Sequence, residues 1–300
     1  MLALIAPGQG SQTPGMLQPW IEDPANAELL RQWSAAIDLD LLHLGITADA
    51  DEIRDTANAQ PLIVAAGLLS AGALKLDGTF SFVAGHSVGE ITAAALAGVL
   101  TPVDALRLVR VRGLEMAKAA AIASSGMSAV LGGDREVVLK AILDAGLVAA
   151  NDNGGGQIVA AGDLDALAAL APEGARVRAL QVAGAFHTNF MSPAVAAFGE
   201  FASTITTCNP AVGVISNRDG QVLDSGEEVI SRIVSQVANP VRWDLCMSTM
   251  QSSGVTKALE VAPAGTLVGL LKRAAENIEG FAFKSPDNLS AANQFVSSKG

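Results

Sequence analysis

Basic residues are scarce in this chain. Nineteen Lys and Arg against thirty Asp and Glu leave a formal net charge of −11, which argues against nucleic acid or an anionic membrane as the main partner. Cysteine is scarcer still. Cys208 and Cys246 stand apart with no ligand or redox spacing, so neither a disulfide framework nor a metal site is signalled, and a reducing cytoplasm fits. No bound organic cofactor is indicated either. A basic leader is missing from Met1-Leu-Ala-Leu-Ile-Ala6, which runs into Pro7-Gly8 and reads as a first strand rather than a signal peptide. The longest apolar stretches, such as Pro61 to Leu74, end at Lys75 and Asp77. They are too short for a bilayer and read as buried helices, so no membrane partner is expected.

What the chain has is apolar mass. Half of its 300 residues are hydrophobic, enough to bury the core of one large domain, or of a large domain carrying a smaller insertion. Leu2 to Ala6 is a continuous apolar run that stops at Pro7-Gly-Gln-Gly10, the pattern of a buried strand feeding a Gly-rich loop. Thr56 or Asn58 caps a helix with Pro61 in its first turn, running to about Leu76; Phe80 to Ala84 reads as a strand and Ile91 onward as a helix. Strands alternating with helices imply an α/β fold with a mainly parallel sheet.

The texture changes near Gly126. Met127 to Leu131, Leu147 to Asn151, Gln157 to Ala161 and Arg176 to Val182 read as strands, with helices over Asp134 to Ala145 and Asp163 to Leu170. Such closely spaced elements suggest a small α+β layer at 126–191 inserted into a large domain formed by 1–125 and 192–300. In the second part of the large domain, Val212 to Ser216 and Lys257 to Val261 read as strands and Val229 to Val237 as a helix. The Ser- and Asn-rich stretch from Asp287 to Gly300 reads as a loosely held tail.

Gly85-His-Ser-Val-Gly89 carries the chemistry. This G-x-S-x-G run follows an apolar strand and precedes a helix, the setting in which flanking glycines let the chain turn sharply and lift the hydroxyl of Ser87 to a helix N-terminus. The bland alternative is an ordinary turn with a capping serine. A serine hydroxyl needs a neighbouring base, usually histidine, and there are three. His86 adjoins the nucleophile, where side chains of a tight turn diverge, so it reads as packing or hydrogen-bonding locally. His43 lies in an apolar helical setting and reads as structural. His187 remains, in a loop turning toward a helix. No carboxylate stands out to orient it, because Asp219 and Asp224 read as turn residues. A dyad in which a backbone carbonyl or an amide holds the histidine fits better.

Five motifs in order, Pro7-Gly-Gln-Gly-Ser-Gln12, Gly85-His-Ser-Val-Gly-Glu90, Arg112-Gly-x-x-Met116, Ala185-Phe-His-Thr188 and Asn239-Pro-Val-Arg-Trp243, resemble the malonyl-CoA:acyl carrier protein transacylases of fatty-acid synthesis. The resemblance spans residue 1 to about 285. It implies an α/β-hydrolase-like large domain with a ferredoxin-like insertion, and an acyltransferase with Ser87 as acylated nucleophile and His187 as general base. Gln9 and Val88 would supply the backbone N–H groups of the oxyanion hole. Arg112 would hold the malonyl carboxylate through a planar bidentate fork, although among Arg107 and Arg110 it otherwise reads as a surface helix arginine. Gln236 would accept a bond from the histidine, Gln60 would line the acyl pocket, and Phe186 would exclude an α-branched acyl chain.

The partners implied are malonyl-CoA and a phosphopantetheinylated acyl carrier protein, with the transferase acting as a monomer. Arg176, Arg178, Lys272 and Arg273 are candidates for docking the acidic carrier. Three alternatives stand beside this reading: a serine hydrolase or thioesterase, which needs no Arg112; the same chemistry serving polyketide synthesis or a malonate-processing complex; and a non-catalytic carrier-binding protein.

Overall fold

The computed structural model describes residues 1–76 and 78–298. Its strands are Leu2–Ala6 (β1), Phe82–Gly85 (β2), Gly126–Gly132 (β3), Val148–Asp152 (β4), Gln157–Gly162 (β5), Ala175–Ala179 (β6), Gly213–Ile215 (β7), Val222–Leu223 (β8), Val241–Arg242 (β9), Lys257–Glu260 (β10) and Glu279–Ala282 (β11). They form two sheets. One runs β11-β10-β1-β2-β7-β8 and is parallel except for β8. The other runs β6-β3-β5-β4-β9 and is antiparallel except where β9 joins. The mixed α/β architecture expected from the alternating pattern is present.

β1 has no polar residue and all five of its side chains are buried, as a central strand covered on both faces requires. It lies between β10 and β2, with Ala6 opposite Gly85 and, one strand further, Ala84 opposite Ile215. Three loops therefore leave the same carboxyl edge side by side: Pro7 to Gln12, the turn at Ser87, and Ser216-Asn217. Crevices outside the carboxyl ends of parallel strands are where α/β sheets hold ligands.

The helix Thr56–Ala73 begins at Asp55, whose carboxylate accepts from the Ala57 N–H. Almost its whole surface is buried. Pro61 lies inside this helix and not in its first turn. The proline lacks the N–H that would satisfy the Ala57 carbonyl four residues earlier. Arg110 supplies the missing donor, with Nη1 at 2.9 Å from that oxygen. Arg110 extends from the helix Pro102–Ala120, which approaches closely because Gly113 carries no Cβ: one built there would stand 3.0 Å from the Thr56 carbonyl. That approach sets Arg112, on the same helix, inside the protein.

In the antiparallel sheet the strands of residues 126–179 have the order β6-β3-β5-β4, with helices Arg135–Asp144 and Leu164–Ala169 between them. This is the βαββαβ ferredoxin-like arrangement. The fifth strand, β9, comes from much later in the chain and pairs with Asn151 and Asp152.

The tail expected to be loose is instead helical. Leu289–Ser297 is a helix that buries Ala292, Phe295 and Val296, Phe295 stacks on Phe281 at 5.3 Å between ring centroids, and Lys257 Nζ donates to the Phe295 and Ser298 carbonyls at 3.2 and 2.6 Å. A polar composition concealed an amphipathic face. Lys299 and Gly300 lie outside the described residues. Phe295→Ala should cost about 3 kcal/mol in a urea titration. A loss under about 0.5 kcal/mol, as for a surface position, would mean that the helix is not held.

Candidate active site

Ser87 has φ +53°, a left-handed conformation that L side chains adopt only under constraint. The flanking glycines are what permit it. A Cβ on Gly85 would stand 1.9 Å from the Gly89 carbonyl carbon, and one on Gly89 would stand 2.2 Å from the Ala6 oxygen. Asn217, at the end of the neighbouring β7, fastens the turn: its Oδ1 accepts from the Ser87 N–H at 2.8 Å and its Nδ2 donates to the Gly85 carbonyl at 2.7 Å. The helix Gly89–Leu96 follows at once.

His187 also has positive φ, +62°. Its N–H donates to the Val237 carbonyl at 3.2 Å, and Thr188 Oγ1 donates to the Ala185 carbonyl at 2.6 Å. The imidazole reaches across so that Nε2 lies 2.7 Å from Ser87 Oγ. Nδ1 faces the Gln236 backbone carbonyl at 2.8 Å. A carbonyl only accepts, so the proton sits on Nδ1 and Nε2 is free to take the serine proton. Burial, and then the Arg112 guanidinium, push the His187 pKa down to about 3.

Arg112 is 1% exposed, so the surface alternative is wrong. Nη1 donates to Gln60 Oε1 at 2.6 Å, and Nη2 donates to Gln236 Oε1 at 2.7 Å and points at Ser87 Oγ from 3.4 Å. Among the described residues none of its partners is a carboxylate, and Nε has no partner at all. Burial pulls the guanidinium down to about 10, opposed by the charge of Glu90.

Gln236 orients His187 through its backbone carbonyl; its side-chain oxygen serves Arg112. Gln60 braces Arg112 and Met116 Sδ rather than lining the cleft. A cavity of about 210 Å³ opens over the pair, with Gln9, Ser87, Phe186 and His187 in its wall beside Met127 and Val159 of the antiparallel sheet. The Gln9 side chain donates to Thr56 Oγ1. Among the described residues, the backbone N–H groups of Gln9 and Val88 have no acceptor, and so remain available to a developing oxyanion.

His86 is half-buried in the wall of the same cavity: Nε2 meets Asn153 Oδ1 at 2.8 Å and its ring packs on the edge of Trp243. Burial lowers its pKa, leaving a neutral ring that ties the Ser87 turn to the antiparallel sheet. His43 lies outside the site, half exposed between Thr47 and Glu52. Two residues escape the sequence reading: Asn217, which carries no motif signal, and Glu90, visible in the motif but without a role there. Position at the carboxyl edge of β7 is the signal that could have raised Asn217.

A hydroxyl, a neutral imidazole, two free N–H groups and a buried guanidinium can together perform acyl transfer to and from serine on an acyl group that ends in an anion. The family described as Acyl transferase domain matches residues 4–288. This chain belongs to that acyl transferase family. It is similar to the malonyl CoA-acyl carrier protein transacylase of Mycobacterium tuberculosis, 53% identical over 296 residues that cover 96% of this chain and 98% of the relative. The protein of that name from Escherichia coli is 34% identical over 302 residues, covering 97% and 98%. The crystal structure of MCAT from Mycobacterium tuberculosis superimposes with a TM-score of 0.94 at 52% identity over 97% of this chain and 99% of that one. A malonyl-transacylase solved with its type II PKS acyl-carrier protein gives 0.90 at 29% identity over 98% and 99%.

For this acyl transferase, the depressed His187 pKa fixes a sign. A base whose pKa lies far below the ordinary histidine value stays neutral, and so competent, as pH falls through 6.5. Acylation of Ser87 by p-nitrophenyl acetate, followed by intact mass, should hold level from about pH 8 to about pH 5.5. An unperturbed histidine would lose about tenfold, and such a loss would contradict the geometry.

Proposed function

We propose that this acyl transferase moves malonyl from malonyl-CoA to the phosphopantetheine thiol of an acyl carrier protein. The observation that carries the reading is Arg112, a fully buried cation whose partners are amide oxygens and a hydroxyl. A buried unpaired charge costs several kcal/mol, and an acyl group ending in a carboxylate relieves that cost at 3.4 Å from the nucleophile. A hydrolase of neutral esters would gain nothing from it.

In the proposed reaction His187 Nε2 takes the Ser87 Oγ proton as Oγ attacks the thioester carbonyl. The oxyanion forms facing the Gln9 and Val88 N–H groups, the C–S bond breaks, and the proton passes from His187 to the departing CoA sulfur. The carrier thiol then gives its proton to His187 and attacks the malonyl-serine ester; the ester C–Oγ bond breaks, and His187 returns the proton to Ser87 Oγ, restoring the resting pair. Thioester is exchanged for thioester, so the reaction runs in either direction. Arg112, braced by Gln60 and Gln236, anchors the carboxylate throughout, and Phe186 in the cavity wall disfavours an α-methyl branch. The malonyl carboxylate also offsets the charge that helps to depress His187, which strengthens the base when the correct acyl group is bound.

The chain divides on this reading into 1–125 with 192–300 as the large domain and 126–191 as the small one, supported by β3 to β6 lying within 126–191 and the six-stranded sheet lying outside it, with β9 crossing from the large domain to pair with β4. Cys208 and Cys246 are free thiols, which fits a reducing cytoplasm. No helix among the described residues is long and apolar enough to cross a membrane. Action as a monomer is part of the same proposal. The carrier docks on Arg176 and Arg178, exposed on the edge strand β6, and on Lys272 and Arg273, exposed at the end of helix Thr266–Ala274.

A chase experiment tests this. The protein is loaded with malonyl-CoA, freed of nucleotide and mixed with carrier bearing phosphopantetheine. Most of the malonyl group should appear on the carrier rather than as free malonate, and changing the two basic pairs to Glu should raise the carrier concentration needed without slowing loading. Release of malonate alone would make the protein a hydrolase.

A further inference from the structure

Glu90 is buried to 4% exposure directly behind the Ser87 turn, and the transfer chemistry does not use it. Both of its oxygens accept bonds. Oε1 takes the Asn217 backbone N–H at 2.6 Å and Oε2 takes Gln236 Nε2 at 2.5 Å. Gln236 Nε2 also faces the Ser87 carbonyl and Asn217 Oδ1, both at 3.1 Å. The opposite end of the same amide, Oε1, is the acceptor for Arg112 Nη2.

An amide side chain can be turned end for end with little change of shape. What decides its direction is the polarity of its neighbours. If Gln236 turned, its NH2 would face the Arg112 guanidinium, two donors in contact, and the guanidinium would be driven from its place. Resting on the proposed malonyl chemistry, we propose that Glu90 is the positioning residue that sets malonyl selectivity, by locking the Gln236 amide with its oxygen toward Arg112. Glu90 touches neither the acyl group nor the reacting atoms. It acts through Gln236 on the arginine that does.

Glu90→Gln keeps the shape and reverses one contact. The Asn217 N–H belongs to the backbone and cannot turn, so the new carboxamide keeps its oxygen there and presents NH2 to the Gln236 NH2, which the Ser87 carbonyl and Asn217 Oδ1 still hold. Two donors are left in contact and Gln236 is pushed off its bond to Arg112. A charge-assisted bond at the carboxylate-binding arginine is thereby lost. Removal of a negative charge near Arg112 acts in the opposite direction and by itself would favour malonyl more strongly. The sign of the change therefore separates an orienting role from simple charge balance.

Burial pushes Glu90 up to about 7, against the Asn217 N–H, the Arg112 and Arg232 charges and the Gln236 amide. Protonation puts an O–H donor where Gln236 needs an acceptor, the same reversal made by pH. The ionisable groups facing Glu90 are Arg112 on helix Pro102–Ala120, Arg232 on helix Gly226–Gln236 and Cys246 on helix Trp243–Ser252. The arginines stay charged between about pH 5.5 and 8, and burial holds the Cys246 thiol protonated. His187, across Arg112, is held down to about 3 by burial first and the arginine second, so with either acyl group it stays neutral between about pH 8 and 5.5 and adds no pH dependence to the ratio.

The experiment measures acylation of Ser87 by malonyl-CoA and by acetyl-CoA, by rapid-quench intact mass, in the full-length protein and its Glu90→Gln, Arg112→Ala and doubly substituted forms. The malonyl-to-acetyl ratio should fall roughly tenfold in Glu90→Gln, and Glu90→Gln should lower it no further when Arg112 is already Ala. Equal slowing of both substrates, or a rise in the ratio, would overturn the proposal. Should Glu90→Gln not fold, the wild-type ratio must fall as pH drops from about 8 to about 5.5, and a flat ratio overturns the proposal as well. A wild-type protein with no malonyl preference would instead overturn the proposed function itself.

Discussion

The 2.7 Å contact between Ser87 Oγ and His187 Nε2 joins two positions 100 residues apart, and much of the structure serves to hold it. Both residues sit in left-handed backbone, a conformation that costs of order 1–3 kcal/mol at each non-glycine position. The surroundings supply the compensation. Gly85 and Gly89 admit the chain where any Cβ would strike backbone, Asn217 grips the serine turn from the adjacent strand, and the Val237 and Gln236 carbonyls fix the histidine's N–H and ring. The parallel register of β1, β2 and β7 brings these fasteners to one edge.

A second constraint is electrostatic. Arg112 and Glu90 are both buried and opposite in charge, yet they do not touch; the Gln236 amide stands between them, accepting from one and donating to the other. This spacing matters because a direct ion pair would occupy the guanidinium and leave nothing for a substrate carboxylate. Relayed through a neutral amide, the negative charge makes burial of the arginine tolerable while no carboxylate among the described residues contacts the guanidinium. His187 feels the same cation, so charge delivered to Arg112 is also felt at the base.

How much of this could be read from the residues depended on the range of the interactions. Period and punctuation locate the strands around Ser87 and the βαββαβ run because those signals are local; β3 to β6 appear where the apolar runs stand. The seryl turn was legible for the same reason, since strand, glycines and helix are contiguous. Arg112 was legible only through the family resemblance; from the residues alone it reads as a surface arginine, because its burial comes from the close approach of two helices at Gly113 and Thr56. The role of Gln236 was half legible: the resemblance pointed to the residue, but whether its backbone or its side chain meets the imidazole is a matter of three-dimensional placement. Pro61 reads as a first-turn residue because an interior proline normally breaks a helix, and the rescuing Arg110 lies on another element. The C-terminal helix is concealed in the sequence because Ser and Asn surround its three buried apolar positions.

The central claim is that Ser87, His187 and Arg112 act as one device for an anionic acyl group. Intact mass of the wild-type protein and of Ser87→Ala and Arg112→Ala, each mixed with malonyl-CoA or acetyl-CoA, tests it most directly. A malonyl adduct on the wild type, absent from Ser87→Ala and strongly reduced for malonyl alone in Arg112→Ala, is the expected result. No adduct on the wild type, or equal labelling by the two thioesters that Arg112→Ala leaves unchanged, would contradict it.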